Sequence, residues 1–157
     1  MLIRPFAPSD ASALADLFHA SVREVGIRDY SAEQVAVWSP ARPDPARYLR
    51  QAENRIFLVV VDEGGQPIAY GDVEMNGHID HLYCHPAQVG TGVGAALYLA
   101  LEVAAREAGI SRLFVEASEA ARRLFERQGF QMVERQEFLR HGVLIHNYRM
   151  AKTLLPR

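Results

Sequence analysis

The sequence has little of what marks secreted, membrane-spanning or nucleic-acid-binding proteins. Its 157 residues include one cysteine, Cys84, so no disulfide can form within the chain. No apolar run approaches the roughly 18 residues that a membrane-spanning helix needs, and the first residues lack the layout of a signal peptide. The formal net charge of -2 argues against nucleic acid or an anionic membrane as the main partner. We therefore expect a cytoplasmic protein.

The six histidines also lack the spacing of a metal site. His78 and His81 are three apart on a predicted strand, so their side chains face opposite ways, and no Cys/His spacing matches a zinc motif. We expect no metal. Apolar residues make up 49% of the chain and charged residues 23%, which is ordinary for a globular protein. The length fits a single domain, residues 1–157.

Capping residues indicate three helices in the first third of the chain. Ser9 is expected to cap the first helix, which stops at Gly26. Ser31 and Gln34 have the spacing of a capping box and begin the second. An Asp-Pro pair at 44–45 begins a short third helix.

Apolar runs and turn signals indicate strands in the middle of the chain. After a short strand at 2–4, the run 56–61 is continuous, as in a strand buried on both faces. A Gly-Gly turn leads into a strand at 68–75. The Asn76-Gly77 pair is a strong hairpin signal and leads into a strand at 79–84. Three consecutive antiparallel strands are therefore expected.

The second half of the chain begins with a long helix at about 92–108. The other predicted elements are a strand at 112–116, a helix that Ser118 caps and Gly129 ends, and a closing hairpin of strands 130–138 and 143–150. Leaving aside the short helix near residue 45, the order is β-α-α-β-β-β-α-β-α-β-β. This order predicts an α/β (α+β) fold with one mixed sheet, antiparallel in its first half and with one parallel βαβ crossover.

The stretch 90–95, Gly-Thr-Gly-Val-Gly-Ala, matches the G-x-G-x-x-A form of a dinucleotide-binding fingerprint. Two observations count against that reading. The preceding strand ends at Cys84, whereas the fingerprint follows its strand directly, and after Glu116 only one helix and a hairpin remain. The physics of the loop still holds, because a glycine-rich turn at a helix start aims backbone N–H groups at an anion. We expect an anion-binding loop.

Four segments in order resemble the GNAT acetyltransferase superfamily. They are the stretch 79–86 with the glycines of 90–94, the stretch 116–122 with Gly129-Phe130, the segment from Tyr30 to Trp38, and the ending Asn147-Tyr148-Arg149-Met150. The last two are similar to a subgroup of small bacterial acetyltransferases. The resemblance covers nearly the whole chain and implies a GNAT-like fold that uses acetyl-CoA.

The resemblance also implies which residues contact the cosubstrate. The pantetheine arm would pair with the backbone of Leu82, Tyr83 and Cys84, and Ser118 would also touch it. The pyrophosphate would be surrounded by Gly90, Thr91, Gly92, Val93 and Gly94. Two positions depart from the family pattern. Val89 stands where Gln or Arg is usual, and Phe125 stands where a tyrosine is proposed to protonate the departing thiolate.

Acyl transfer to an amine needs a base that takes a proton from the ammonium group. The candidates are Glu74, Asp80 and His81, although consecutive strand residues face opposite sides and Asp80 and His81 cannot both face the substrate. Tyr83 and Tyr148 are candidate proton donors in place of the hydroxyl missing at position 125.

The acceptor pocket of this fold would be lined by Tyr30, Trp38, His146 and Tyr148. The leading expectation is an acetyl-CoA-dependent N-acetyltransferase that acts on a small-molecule or peptide amine. The alternative is a non-catalytic acyl-CoA-binding or regulatory module, which Phe125 keeps open. A sheet edge or the final hairpin could also pair with a second copy in a homodimer.

Overall fold

The computed structural model describes residues 1–154, which form two four-stranded sheets and five α-helices. The strands are β1 (Leu2–Pro5), β2 (Arg55–Val61), β3 (Pro67–Glu74), β4 (His78–Ile79), β5 (Leu82–Cys84), β6 (Arg112–Ala117), β7 (Gln131–Arg140) and β8 (Val143–Thr153). The helices are α1 (Ala11–Ala20), α2 (Ala32–Trp38), α3 (Ala46–Gln51), α4 (Val93–Glu107) and α5 (Glu119–Arg127). In this part of the chain no helix has the length and apolar character needed to cross a membrane.

The predicted α/β class and element order are confirmed, but the single mixed sheet is replaced by two sheets. The first has the order β1-β2-β3-β5 and is antiparallel throughout. The second has the order β4-β6-β8-β7, in which β4 and β6 run parallel. The strand predicted at 79–84 is split into β4 and β5, and its two parts belong to different sheets. The predicted parallel crossover runs from β4 through α4 to β6.

A buried carboxylate explains why the strand splits. Asp72 is the residue of β3 that follows the last β3–β5 pair, Gly71 with Leu82. Its backbone N–H donates to the carbonyl of His81 at 3.1 Å, as in a regular ladder. The backbone N–H of His81, however, donates to the side-chain Oδ1 of Asp72 at 2.7 Å. The side chain thus takes the place of the next backbone partner, and the chain turns away toward β6.

The other carboxylate oxygen of Asp72 accepts hydrogen bonds from side chains of β2 and α3. Gln51 Nε2 and Arg55 Nη1 each donate to Oδ2 of Asp72 at 2.8 Å. Arg55 Nη1 also donates to Asp80 at 3.1 Å, on the segment between β4 and β5. Asp72 is completely buried, so its charge is neutralised by donors within the protein. The divergence of β4 and β5 is thereby fixed.

Alternate residues of the first sheet pack on opposite faces. Val60 and Ala69 are buried in one cluster with Leu97 and Leu101 of α4. Val59 and Tyr70 are buried in the other cluster, which includes Leu14 and Phe18 of α1. Since side chains alternate along a strand, a sheet covered on both faces needs a continuous apolar run. The prediction for residues 56–61 is therefore confirmed.

The local predictions of helix starts are largely confirmed. Ser31 accepts from the N–H of Gln34 at 3.1 Å, and Gln34 accepts from the N–H of Ser31 at 2.9 Å, which is the predicted capping box. Ser118 accepts from Ala121 at 3.3 Å at the start of α5. The prediction for Ser9 is wrong, because the chain enters α1 through a 3-10 turn at Pro8–Asp10 and Ser9 lies inside that turn.

Candidate functional site

The larger of two adjoining cavities has a volume of about 440 Å³ and lies at the point where the two sheets diverge. Its walls come from the helical turns that follow α1 (Ser21–Val25 and Gly26–Arg28), from β5, from the glycine loop and from α5. The lining includes Val22, Tyr30, Trp38, Leu82, Tyr83, Cys84, Gln88, Val89, Gly90, Gly92, Gly94, Ser118, Ala121, Leu124 and Arg127. Seven of the nine residues predicted to contact the cosubstrate line this cavity together with Tyr30 and Trp38; they are Leu82, Tyr83, Cys84, Gly90, Gly92, Gly94 and Ser118.

Strand β5 offers a free backbone edge to this cavity. It pairs only with β3 within the first sheet and is the last strand in the order. His81 accepts from β3 through its carbonyl, and His85 donates to β3 through its N–H. Alternate residues of an antiparallel strand bond to the same side, so Leu82 and Cys84 point their N–H and C=O groups to the free edge. A ligand with amide groups can pair there as an added strand.

The glycine loop places unpaired N–H groups at the other end of the cavity. Gly92 is the N-cap of α4 with φ of 89°, and the first N–H to bond back within the helix is that of Ala96. The N–H groups of Val93, Gly94 and Ala95 therefore have no partner within the helix. A Cβ at Gly92 would meet no atom within 4 Å. The glycine therefore permits the positive φ and leaves the space in front of the helix N-terminus open.

The other positions of the loop have different surroundings. Thr91 donates to the carbonyl of Gln88 at 2.6 Å, and Val93 is buried in the core. Val89, where the family pattern has a polar residue, is exposed on the cavity wall, and Gln88 lines the wall beside it. Gly94 allows close packing, since a Cβ there would lie 3.4 Å from Cys84 Sγ.

The second cavity is smaller, about 130 Å³, and adjoins the first. Tyr30, Trp38, Tyr83 and Ser118 line both. The rest of its lining is Glu116, Phe138, Arg140, Ile145, His146 and Asn147, from β6 and the β7–β8 hairpin. Three of the four residues predicted to line the acceptor pocket, Tyr30, Trp38 and His146, therefore meet at this cavity.

A hydrogen-bond network around Glu119 supports one wall of the small cavity. The Tyr30 hydroxyl donates to the carbonyl of His146 and accepts from the N–H of Glu119, each at 3.1 Å. Burial raises the pKa of Tyr30 to about 12, so this hydroxyl stays protonated. His146 Nε2 and the Tyr148 hydroxyl both contact Glu119 Oε1, at 2.7 and 2.5 Å. Tyr148 is buried and lies outside the lining of both cavities.

The three predicted bases also lie outside the lining of both cavities. Glu74 contacts His78 Nδ1 at 2.6 Å, and Asp80 accepts from Arg55 at 3.1 Å. His81 is buried between Arg47 and Tyr70. Glu116, a carboxylate that was not among the predicted bases, does line the small cavity. It contacts Nε2 of His78 at 3.0 Å.

The surroundings of His81 keep its ring neutral. Arg47 Nη2 lies 3.1 Å from Nε2, and a guanidinium can only donate, so Nε2 is the acceptor. Nδ1 therefore carries the proton and donates to the Tyr70 hydroxyl at 2.9 Å. Burial lowers the pKa of His81 from 6.5 to about 4, against the opposing charges of Asp72 and Asp80. Both ring nitrogens are used inside the protein in this arrangement.

This neutral ring predicts a loss of stability in mild acid. Because the pKa of His81 is lower in the folded than in the unfolded chain, its contribution is complete above pH 6.5 and is lost as pH falls toward 4. The difference corresponds to about 3 kcal/mol of unfolding free energy. Urea unfolding at pH 7 and pH 4.5 should show this loss in the wild type, and a smaller one in His81→Gln. Equal losses in both proteins would contradict the assignment, since the carboxylates contribute equally to each.

Phe125 and Cys84 have clear structural surroundings. Phe125 is 1% exposed and packs against Tyr98 and Phe130, with ring centroids 5.9 and 4.8 Å away. It lies on the buried face of α5 and outside the lining of the cavities. Burial raises the pKa of Cys84 to about 11, so this thiol stays protonated at neutral pH. In residues 1–154 no group of three His, Cys, Asp or Glu side chains is arranged to hold a metal ion.

Sequence reasoning missed several residues around the two cavities. Arg127 lines the large cavity, and Arg140 lines the small one. Asp29 also lines the large cavity, but it is paired with Arg123 at 3.0 Å. Asp72 carried a signal that could have been used, because a carboxylate in the apolar run 68–75 needs buried donors. The positions of the arginines depend on the packing of α5 and the hairpin and have no local signal.

Comparison with known proteins gives a consistent result. A family model described as the acetyltransferase (GNAT) domain matches residues 27–152. The uncharacterized N-acetyltransferase YafP of Escherichia coli K12 is 29% identical over 149 residues, which is 94% of this chain and 93% of that protein. A GCN5-related N-acetyltransferase from Rhodopseudomonas palustris superposes with a TM-score of 0.88 at 33% identity, covering 98% of this chain and 95% of that one.

A phosphinothricin acetyltransferase from Sinorhizobium meliloti, solved in complex with acetyl-CoA, has the same fold. It superposes with a TM-score of 0.78 at 19% identity and covers 98% of this chain and 88% of that one. The matched family segment holds β5, the glycine loop and most of the lining of both cavities. The chain therefore belongs to the GNAT family and is an acetyltransferase.

Proposed function

We propose that the protein transfers the acetyl group of acetyl-CoA to a primary amine by direct attack of the amine on the thioester. The observation that carries this proposal is the joining of two cavities at Tyr83 and Ser118. The larger one suits a long ligand with amides and an anionic end, and the smaller one suits a compact acceptor. The thioester would then lie where the two cavities meet.

The large cavity matches coenzyme A at both ends. The free edge of β5 at Leu82 and Cys84 provides N–H and C=O groups for the amides of the pantetheine arm. The N-terminus of α4 provides unpaired N–H groups and a positive helix end for the pyrophosphate. Arg127 adds a cation to the same lining, which favours an anionic ligand. An N–H of β5 can also donate to the thioester oxygen as negative charge develops on it.

Tyr83 is the better placed of the two tyrosines that could replace the hydroxyl missing at Phe125. It lines both cavities, whereas Tyr148 lines neither and donates to Glu119. Burial raises the pKa of the Tyr83 hydroxyl above its ordinary value of 10, so it carries a proton at neutral pH. We assign to it the proton that the departing thiolate takes up.

The reaction is tested by the release of free thiol from acetyl-CoA with a panel of primary amines. An acetyltransferase of this kind releases one thiol for each amide formed, which mass spectrometry of the products confirms. Tight binding of coenzyme A with no thiol release on any amine would contradict the proposal. That result would favour the alternative, a non-catalytic acyl-CoA-binding or regulatory module.

Gly92→Glu is expected to abolish coenzyme A binding. The new carboxylate would stand in the open space before α4, where like charges at the pyrophosphate cost several kcal/mol. This corresponds to a loss of affinity of at least about 100-fold, measured by calorimetry.

Gly109→Glu is the matched control at the other end of the same helix. Gly109 also has a positive φ, 80°, and open space at its Cβ, so the strain is the same. Its affinity for coenzyme A should be unchanged. Wild-type affinity in Gly92→Glu would overturn the placement of the pyrophosphate.

A further inference from the structure

The small cavity combines aromatic faces with one carboxylate. Tyr30, Trp38 and Tyr83 contribute rings, and the rings of Tyr30 and Trp38 meet edge to face with centroids 5.6 Å apart. Among residues 1–154, Glu116 is the only Asp or Glu in the lining of this cavity. Aromatic faces attract cations, and a carboxylate beside them provides the opposite charge. The volume of about 130 Å³ limits the occupant to a small group such as the end of an alkylamine.

Glu116 lies next to the point where the two cavities join. It is two residues before Ser118, which lines both cavities, so the two side chains leave the β6 segment on the same side. Its side chain is 41% exposed, so it can exchange protons with water. Both of its oxygens contact Nε2 of His78, at 3.0 and 3.1 Å.

His78 is fixed from three sides. Nδ1 contacts Glu74 at 2.6 Å, and the ring stacks on Phe114 with centroids 5.1 Å apart. Burial lowers the pKa of His78, but the hydrogen bond that His78 donates to Glu74 and the charge of Glu116 raise it more, so the net direction is upward. A protonated ring donates one N–H to each carboxylate, and the three groups together keep one negative charge.

Other charged groups surround this cluster. Asp80 adds a negative charge near His78. Arg55 lies 3.8 Å from Glu74 and is neutralised by Asp72 and Asp80. The guanidinium carbon of Arg112 lies 5.6 Å from the centroid of the Phe114 ring, on which His78 stacks. Arg140 of β7 lines the small cavity as an exposed cation.

We propose that the small cavity binds the acceptor as a protonated alkylamine and that Glu116 takes its proton, with His78 and Glu74 as positioning residues. This rests on the proposed function above. The ammonium gives one proton to the Glu116 carboxylate, and the freed lone pair forms the C–N bond as the C–S bond breaks. Tyr83 gives its proton to the thiolate and recovers one as the amide nitrogen loses its second proton, and Glu116 returns its own to water. One proton is released in total.

The binding half of the proposal can be tested without turnover. Trp38 is the single tryptophan of the chain and lines the small cavity, so its fluorescence reports occupancy. With coenzyme A saturating, tetramethylammonium should change the fluorescence saturably, and tert-butanol, a neutral molecule of similar shape, should not. Glu116→Gln should weaken the cation at least about 10-fold. Equal responses to the two probes, or an unchanged affinity in the variant, would overturn the proposal.

The proton-transfer half is tested by kinetics on an amine that the wild type acetylates. Glu116→Gln should lower kcat/KM by about 100-fold or more and flatten its rise with pH. His78→Gln, which retains one donor for Glu116, should retain more activity than His78→Phe and show a shifted pH profile. A purely structural role would lower thermal stability and leave the profile unchanged.

Glu134→Gln is the matched control, because Glu134 is an exposed carboxylate on β7 paired with Arg149 at 2.9 Å. Its kinetics and cation affinity should equal those of the wild type. Wild-type kinetics in Glu116→Gln would overturn this inference and leave the proposed function standing. If the wild-type protein released no thiol with any amine, that result would instead contradict the proposed function itself.

Discussion

Asp72→Asn is expected to lower the free energy of unfolding by about 3–5 kcal/mol. All three partners of the Asp72 carboxylate are donors, namely the N–H of His81, Gln51 Nε2 and Arg55 Nη1. An asparagine has the same shape, but its NH₂ group would face one or two of these donors. It also leaves Arg55 without its buried counter-charge. Removing one partner of a buried ion pair costs more unfolding free energy than it does in an exposed pair, because water cannot replace the missing partner.

The same variant should also lose coenzyme A binding. Asp72 holds the N–H of His81, which is where β5 leaves the line of β4. Without that bond the free edge of Leu82 and Cys84 is no longer fixed. Chemical denaturation measures the stability, and calorimetry measures the affinity.

Asp16→Asn is the control, since Asp16 is 68% exposed and its ion pair with Arg42 is a surface pair. It should cost no more than about 1 kcal/mol. If Asp72→Asn is as stable as Asp16→Asn, the carboxylate is not what separates the two strands.

Gly77→Ala is the second variant with a large expected effect. A Cβ at Gly77 would lie 1.9 Å from the carbonyl oxygen of Arg112, which is backbone and cannot rotate away. Gly77 also has φ of 96°, a conformation that costs alanine about 1–2 kcal/mol. The overlap adds about 1–3 kcal/mol or more, since β6 would have to move. We expect a loss of about 2–5 kcal/mol or more in denaturant unfolding.

Gly65→Ala separates the two causes. Gly65 has φ of 81° in the β2–β3 turn, and a Cβ there would meet no atom within 4 Å. This variant carries the strain without the overlap and should lose only about 1–2 kcal/mol. Equal losses at both positions would show that the contact with Arg112 is relieved at little cost. The contact matters for the site, because the carbonyl of Gly77 accepts from the N–H of Phe114 and joins the β3–β4 turn to β6.

Many elements could be predicted because their causes are local. The capping box of Ser31 and Gln34 involves residues three apart, and its two hydrogen bonds are those expected from the spacing. The helix start at Gly92 depends on a loop of five residues, and the observed helix, Val93–Glu107, differs from the prediction by one residue at each end. The resemblance to the GNAT family rests on the same short segments and was therefore visible without coordinates.

The arrangement of the candidate site is different, because its contacts join distant parts of the chain. Glu116 and His78 are 38 residues apart, and Asp72 meets Arg55 across 17 residues. The apolar pattern of 79–84 was that of one strand, and the pattern could not show that a carboxylate from β3 would interrupt the ladder. For the same reason Glu74, Asp80 and His81 were named as bases from their place on neighbouring strands. The structure instead gives each of them a partner within the protein.

The sequence by itself determined the helices, most of the strands, the glycine loop and the family, since each depends on short-range spacing, capping or apolar periodicity. Only the tertiary structure decided that two sheets diverge, that two adjoining cavities lie where they separate, and that Glu116 is the carboxylate lining the smaller one. The physical reason is that a buried charge must find its donors wherever packing brings them. Here the buried Asp72 carboxylate accepts hydrogen bonds from three donors, and these bonds fix the geometry where the two sheets separate.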